Sequence, residues 1–300
     1  MSDLPNLYIP GAMKSGTSSL WKYLDKHPDI FMSEIKEPSF WIDDKKYPDL
    51  ESYRMLFSIG SNHLYRGDAS AMYMAFDTFA ERIKIHTPDA KLICILRNPI
   101  DRVWSHYWFL RGRGFARMPF KETFLESVNA TPDFSQLSIT DKGQYYYSFG
   151  LYGRSLSRIY DKFDRANILI LETNQLKNFP LETVNSCFRF LNLSELKEIA
   201  EENLNPTILL SDPDAYYKRL NFMYGNNPFK SLLKNIIPKS FGQKFRKGIS
   251  DTLYAAMTTK QAYPAMTVEE RNWLASYYRD DVALLKQVTG MSFPEWQDFT

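Results

Sequence analysis

The residues of this chain best equipped for chemistry cluster in positions 8–20, Tyr-Ile-Pro-Gly-Ala-Met-Lys-Ser-Gly-Thr-Ser-Ser-Leu. Lys14 stands between Gly11 and Gly16, Ser15 follows it, and Thr17, Ser18 and Ser19 add three more hydroxyls. An ammonium among glycines and hydroxyls is a receptor for an anion, and a turn that opens a helix adds N–H groups that no intrahelical carbonyl accepts. A phosphate is therefore the natural guest. The separation of Gly11 and Gly16 matches the nucleotide loop G-x-x-x-x-G-K-[ST], but Thr17 stands where that loop requires lysine. A phosphoryl transferase needs the lysine at that point to reach the outer phosphates, with the next hydroxyl on magnesium. Lysine at position 14 weakens the kinase reading at its most specific point. A strand, turn and helix with no ligand is the plain alternative.

Other groups can complete such a site. In Lys36-Glu37-Pro38-Ser39-Phe40-Trp41 the proline predicts an extended Glu37 and the aromatic pair can anchor the segment. The Glu37 carboxylate is a candidate general base, or else a surface glutamate in a charged loop. Asp68, in the small-residue turn 67–73, is either a second polar group of the site or a helix N-cap. Arg97 ends the apolar run 92–96, Asn98 and Pro99 suit a helix cap and first turn, and Ser105 lies two turns along. An arginine fork with a hydroxyl fits a second, separate phosphate group. Arg102 is expected in a structural ion pair, and His27, before Pro28, as a helix-end residue. Positions 102–121 hold Arg102, Arg111, Arg113, Arg117 and Lys121 and no acid. That stretch reads as a basic loop over the site or as a solvated surface loop.

The elements that must position these groups alternate along the chain. Apolar strand patterns occupy 7–9, 30–32, 63–66, 91–96 and 168–171, and helical patterns fill 20–27, 47–58, 78–86, 151–163 and 180–193. Thr267 followed by Glu270 predicts a capping box for a last helix through Leu285. The order predicts an α/β fold with a parallel sheet, in which ligands gather outside the carboxyl ends of the strands. The 300 residues, 44% of them hydrophobic, suit one domain over 1–300, with 194–255 as a helical insertion on the acceptor side or a lid. Lysine and arginine total 37 against 35 aspartate and glutamate, so no global charge points to nucleic acid. Cys94 and Cys187 read as buried thiols without a disulfide or zinc site. With no apolar run of 18 residues and no room for a signal peptide, a soluble cytoplasmic protein without a transmembrane segment is expected. Positions 215–250 carry eight basic residues and no acid, which fits a lid, a membrane-surface helix or a docked helix.

Taken together, the loop 11–20 with His27-Pro28-Asp29, the segment 36–40, the run 97–105, and Phe149-Gly150-Leu151-Tyr152 leading to 168–171 resemble one family. They are similar to sulfotransferases that use 3′-phosphoadenosine 5′-phosphosulfate (PAPS), most of all the heparan-sulfate and bacterial branch. The likeness covers 5–193 in register and the stretch from Lys260 loosely. It implies a P-loop-like three-layer fold with a central parallel β-sheet flanked by helices. It also implies that Lys14, Ser15, Gly16, Thr17, Ser18 and Ser19 hold the 5′-phosphosulfate, Arg97 and Ser105 the 3′-phosphate, and Lys260 a closing loop. Lys14 would stabilise charge on the bridging oxygen and Glu37 would take the acceptor proton, with no metal required. Heparan-sulfate members carry a lysine where this chain has Ala69, after Asp68. A hydroxyl or amine of a small natural product or other metabolite is therefore the expected acceptor. Sulfation of a carbohydrate or glycolipid, a P-loop kinase, and a non-catalytic nucleotide- or membrane-surface-binding module are the alternatives.

Overall fold

The computed structural model describes residues 4–42, 46–113, 115–130, 145–200, 208–210, 215, 218, 258–260 and 263–300. Five strands, β1 (Leu7–Tyr8), β2 (Ile30–Met32), β3 (Tyr65–Asp68), β4 (Lys91–Leu96) and β5 (Ile168–Glu172), form one sheet in the order β2-β3-β1-β4-β5. Every pairing is parallel. Side chains alternate along a strand, and here that alternation sorts residues between two cores. On β4, Leu92, Cys94 and Leu96 join the larger core, while Ile93 and Ile95 join the smaller one. Tyr8 faces the larger core, and Leu7 and Ile9 face the other. A sheet buried on both faces must be covered by helices on both, which gives the expected three layers.

The smaller core is covered by α1 (Thr17–Leu24), α7 (Thr173–Asn178) and α8 (Pro180–Phe190). The larger is covered by α3 (Asp77–His86), α4 (Pro99–Arg111), α5 (Phe120–Val128), α6 (Tyr152–Tyr160) and a long last helix, α9 (Val268–Thr289). The predicted capping box at Thr267 and Glu270 is formed, and Gly290 stops α9 at φ 74°, a left-handed value that glycine adopts without strain. Asp281 of α9 accepts the amides of Gly153 and Arg154 at 2.8 and 2.9 Å, capping α6 from a distant part of the chain. Gly153 is needed there, because a Cβ would come within 2.3 Å of the Asp281 carbonyl.

The helix predicted over 47–58 is broken. Asp49 accepts the Ser52 amide at 2.7 Å and so starts α2 at Leu50 (Leu50–Arg54), after which Met55–Gly60 winds into a 3₁₀ turn. The segment 194–255 lies mostly outside the described residues, as does 215–250. Within it, Ile208–Leu210 is a strand, β6, paired antiparallel with β7 (Thr258–Lys260), and β6 lies beside α4. Because the five sheet strands are parallel, the loop after β1, the segment after β2, Asp68 on β3, Arg97 after β4 and Thr173 after β5 all emerge at one edge.

Candidate functional site

The loop after β1 is laced to β4 and to the segments that follow β3 and β5. The Ala12 amide donates to the Ile95 carbonyl at 2.7 Å, the Ile95 amide to the Gly11 carbonyl at 2.9 Å, and the Met74 amide to the Pro10 carbonyl at 2.9 Å. Thr173 Oγ1 donates to the carbonyls of both Ser15 and Leu96, at 2.7 and 3.0 Å. So fixed, the loop turns through left-handed conformations at Lys14 (φ 68°) and Gly16 (φ 99°) and enters α1 at Thr17. Gly16, the cap residue, has no side chain to offer, and the first turn of α1 has no acid. The helix N-terminus therefore keeps its partial positive charge for a ligand. Thr17 is buried and Ser18 and Ser19 are half-buried along that turn.

The Lys14 ammonium lies 3.9 Å from the centroid of the Phe109 ring, and the Arg113 guanidinium lies over the same ring at 3.7 Å. Burial, then the charges of Arg113 and Arg97, push Lys14 down to about 8 against an opposing pull from Glu37. Three cations thus converge on the loop, and the desolvated lysine has most to gain from an incoming anion. Arg97 reaches back to the Lys14 carbonyl and across to the Tyr263 hydroxyl, each at 3.4 Å. Behind it, Asn98 caps α4 by accepting the Ile100 amide at 3.0 Å, and Pro99 occupies the first turn, as predicted. Ser105 is buried on the same helix, and Lys260 ends β7, the antiparallel partner of the strand β6 that lies beside α4.

Glu37 departs from the extended conformation expected before proline: its φ is 62°, and Ser39 follows at 63°. The tethers of the segment account for this. The Glu37 amide donates to the Ala69 carbonyl at 3.2 Å, the Ser39 amide to Ser70 Oγ at 2.9 Å, and Lys46 Nζ to the Glu37 carbonyl. Strain of this kind persists where surrounding contacts over-determine it. Phe40 anchors the segment by stacking on Tyr53 at 4.4 Å and 8°, while the Glu37 carboxylate meets Lys36 Nζ at 3.3 Å. Lys36 Nζ also donates to the Ala69 carbonyl at 2.8 Å, so an ammonium stands beside the position where the chain lacks the lysine of its resemblance.

Asp68 serves neither as an N-cap nor as an open site carboxylate. It is wholly buried and accepts Tyr53 OH at 2.6 Å, Ser70 Oγ at 2.7 Å and Tyr73 OH at 2.7 Å. Burial raises its pKa, and the three hydroxyls and the Lys36 charge pull the other way. Arg102 does not form the expected ion pair with a nearby acid. It is fully buried, donates to the Tyr146 carbonyl and lies 3.5 Å from His106 Nδ1, with no carboxylate partner among the described residues. Asp101, the nearest acid in sequence, points instead to Arg271 at 2.7 Å, and Arg271 also binds Asp298. His27 is a core residue whose Nε2 lies 3.0 Å from the Ser194 carbonyl.

The sequence does not single out every part of the site. Phe109 carried no signal beyond its place four residues after Ser105, and Arg113 was one of five basic residues in its stretch. Tyr152 lies beside Ser15, its phenol raised by burial and lowered by Arg102, Ser15 and Arg97. Both hydroxyls are buried, and among the described residues neither has a partner in good hydrogen-bond geometry.

The model of the sulfotransferase domain family matches residues 4–275. The chain is 25% identical over 302 residues to bifunctional heparan sulfate N-deacetylase/N-sulfotransferase 1 of Mus musculus, covering 97% of this chain and 30% of that protein. It is 26% identical over 255 residues to carbohydrate sulfotransferase 15 of Homo sapiens, covering 66% of this chain and 45% of that protein. The chain thus spans less than half the length of these relatives. Among solved structures, a sulfotransferase from Alicyclobacillus acidocaldarius superposes with a TM-score of 0.69 at 22% identity, over 98% of this chain and 99% of that one. With the family model matched over nearly its whole length, this chain belongs to the sulfotransferase family.

Proposed function

We propose that this protein transfers a sulfuryl group from PAPS to a hydroxyl or amine of a small acceptor, releasing adenosine 3′,5′-bisphosphate. The observation that carries the reading is the placement of Lys14: a desolvated ammonium inside a loop at a helix N-terminus, with Arg97 and Arg113 near it and Glu37 across from it. The residues fit such a donor. The buried Ser15 hydroxyl and the acid-free first turn of α1 supply hydrogen-bond donors to an anion, and three cations supply the charge. Lys14 and residues 15–19 hold the 5′-phosphosulfate, Arg97 and Ser105 the 3′-phosphate, and Lys260 closes on the nucleotide.

In the transfer the acceptor oxygen or nitrogen attacks sulfur as the bond from sulfur to the 5′-phosphate oxygen breaks. Glu37 takes the acceptor proton, and the Lys14 ammonium neutralises charge growing on the departing oxygen. Both act by position and electrostatics, so the cations of the chain do the work that a phosphoryl transferase assigns to magnesium. A natural product or other metabolite is the leading acceptor class. The relatives' names favour a second reading, a carbohydrate acceptor. Cys94 and Cys187 are free, buried thiols, and no helix among the described residues is long and apolar enough to cross a membrane.

Calorimetric titration with adenosine 3′,5′-bisphosphate in EDTA tests the donor site, and mass spectrometry of metabolite and glycan mixtures incubated with PAPS tests the acceptor. Binding in EDTA and a sulfonate gain support the reading, whereas a strict need for ATP and magnesium would sink it.

A further inference from the structure

Lys14 and Arg113 share one aromatic partner. Phe109 lies on α4, Lys14 on the loop after β1, and Arg113 just beyond the end of α4. The ring is therefore the point where the loop and the basic stretch after α4 meet, at 3.9 and 3.7 Å from the two cations. An aromatic face attracts each cation through its quadrupole, while the two cations repel each other. Among the described residues, the other charged groups that act on Lys14 are Arg97, from the end of β4, which adds to the repulsion, and Glu37, from the segment after β2, which opposes it. Lys14 thus sits under two opposed influences from one place: the ring favours its charged form and the guanidinium on that ring disfavours it.

We propose that Phe109 and Arg113 form an opposed pair of positioning residues that seat the Lys14 ammonium at the mouth of the loop and set the pH at which the loop loses its anion. The inference rests on the reading of Lys14 as a donor-binding group. It gives the basic stretch after α4 a role at the site, and it gives Phe109 a role that its apolar bulk alone would not supply. Removing the ring face should make Lys14 lose its proton more easily, and removing the guanidinium should make it hold the proton longer.

Calorimetric affinity of the full chain for adenosine 3′,5′-bisphosphate, measured from about pH 6.5 to 9.5, reads this balance without an acceptor or turnover. In the wild type the affinity should fall as pH rises through a break near the value of about 8 to which Lys14 is pushed. Lys14→Met should abolish the break, which assigns it to that residue. Phe109→Leu keeps apolar volume and should move the break down by roughly half a pH unit or more, and Arg113→Gln should move it up by a similar amount. Phe109→Trp, which retains a ring face, should restore the wild-type break and so separates the ring effect from a packing defect. Breaks that stay in place, or that move in the same direction in both variants, overturn the inference. Absence of any binding by the wild type overturns the donor reading and the inference with it, whereas binding without the opposed movements overturns the inference alone.

Discussion

Glu37 and Asp68 are carboxylates on segments that touch, yet the protein treats them oppositely. The Glu37 side chain is 32% exposed, sits on a backbone with φ 62° and has one ammonium at 3.3 Å. Asp68 is 0% exposed and is held by three hydroxyl donors. A carboxylate with all its neighbours committed to it has nothing left for a substrate, whereas one held by its backbone keeps its oxygens for chemistry. The two are linked: Ser70, bound to Asp68, also accepts the Ser39 amide, and the Ala69 carbonyl accepts the Glu37 amide. Asp68 thus builds the platform on which Glu37 stands.

The sharpest way to break this contrast is Glu37→Gln, which should lower sulfuryl-transfer turnover by roughly 10²–10⁴-fold, the usual worth of a general base. Its urea-unfolding stability should stay within about 0.5 kcal/mol of wild type. A variant that keeps nearly full activity would remove Glu37 from the role of base. Asp68→Ala should do the reverse: it strands three buried hydroxyls and should cost about 3 kcal/mol in urea unfolding. If it unfolds no more easily than wild type, the platform account is wrong.

The cationic side repeats the contrast in milder form. Arg97 is half-buried at the site edge, and Arg102, five residues on, is enclosed in the core. Arg97→Ala should weaken adenosine 3′,5′-bisphosphate binding by roughly 10- to 100-fold, the loss expected of a charge-assisted hydrogen bond, while turnover at saturating donor changes little. The smallest effects should separate paired from unpaired phenols. Tyr53→Phe removes a hydroxyl that donates to Asp68 at 2.6 Å and should cost about 1 kcal/mol, whereas Tyr152→Phe removes one with no well-formed hydrogen bond among the described residues and should stay within about 0.5 kcal/mol. Thermal melts of the two variants side by side measure the difference.

Most of the sheet could be read from the chain because buried parallel strands carry their signal locally. The run 92–96 and the stretch 168–171 are apolar on both faces, and β4 and β5 are found there. The caps at Asn98 and Thr267 were legible for the same reason, since a capping bond spans only two or three residues. The break in the helix predicted over 47–58 was less so, since helical spacing persists through residues that the structure winds into a 3₁₀ turn. Arg102 was misread because the acid beside it in sequence is drawn to Arg271, 170 residues away.

For the site, the sequence by itself determined the kinds of group available: a lysine displaced from the nucleotide-loop position, a glutamate before proline, an arginine at a strand end. These are chemical facts about short segments, and a parallel sheet must bring segments that follow its strands to one edge. Only the tertiary structure decided which of them are enclosed and which stay accessible. It enclosed Asp68 among phenols, turned Glu37 left-handed, and placed Phe109 and Arg113 against Lys14. Burial and charge proximity depend on contacts between residues far apart in the chain, and no local pattern of residue types encodes them.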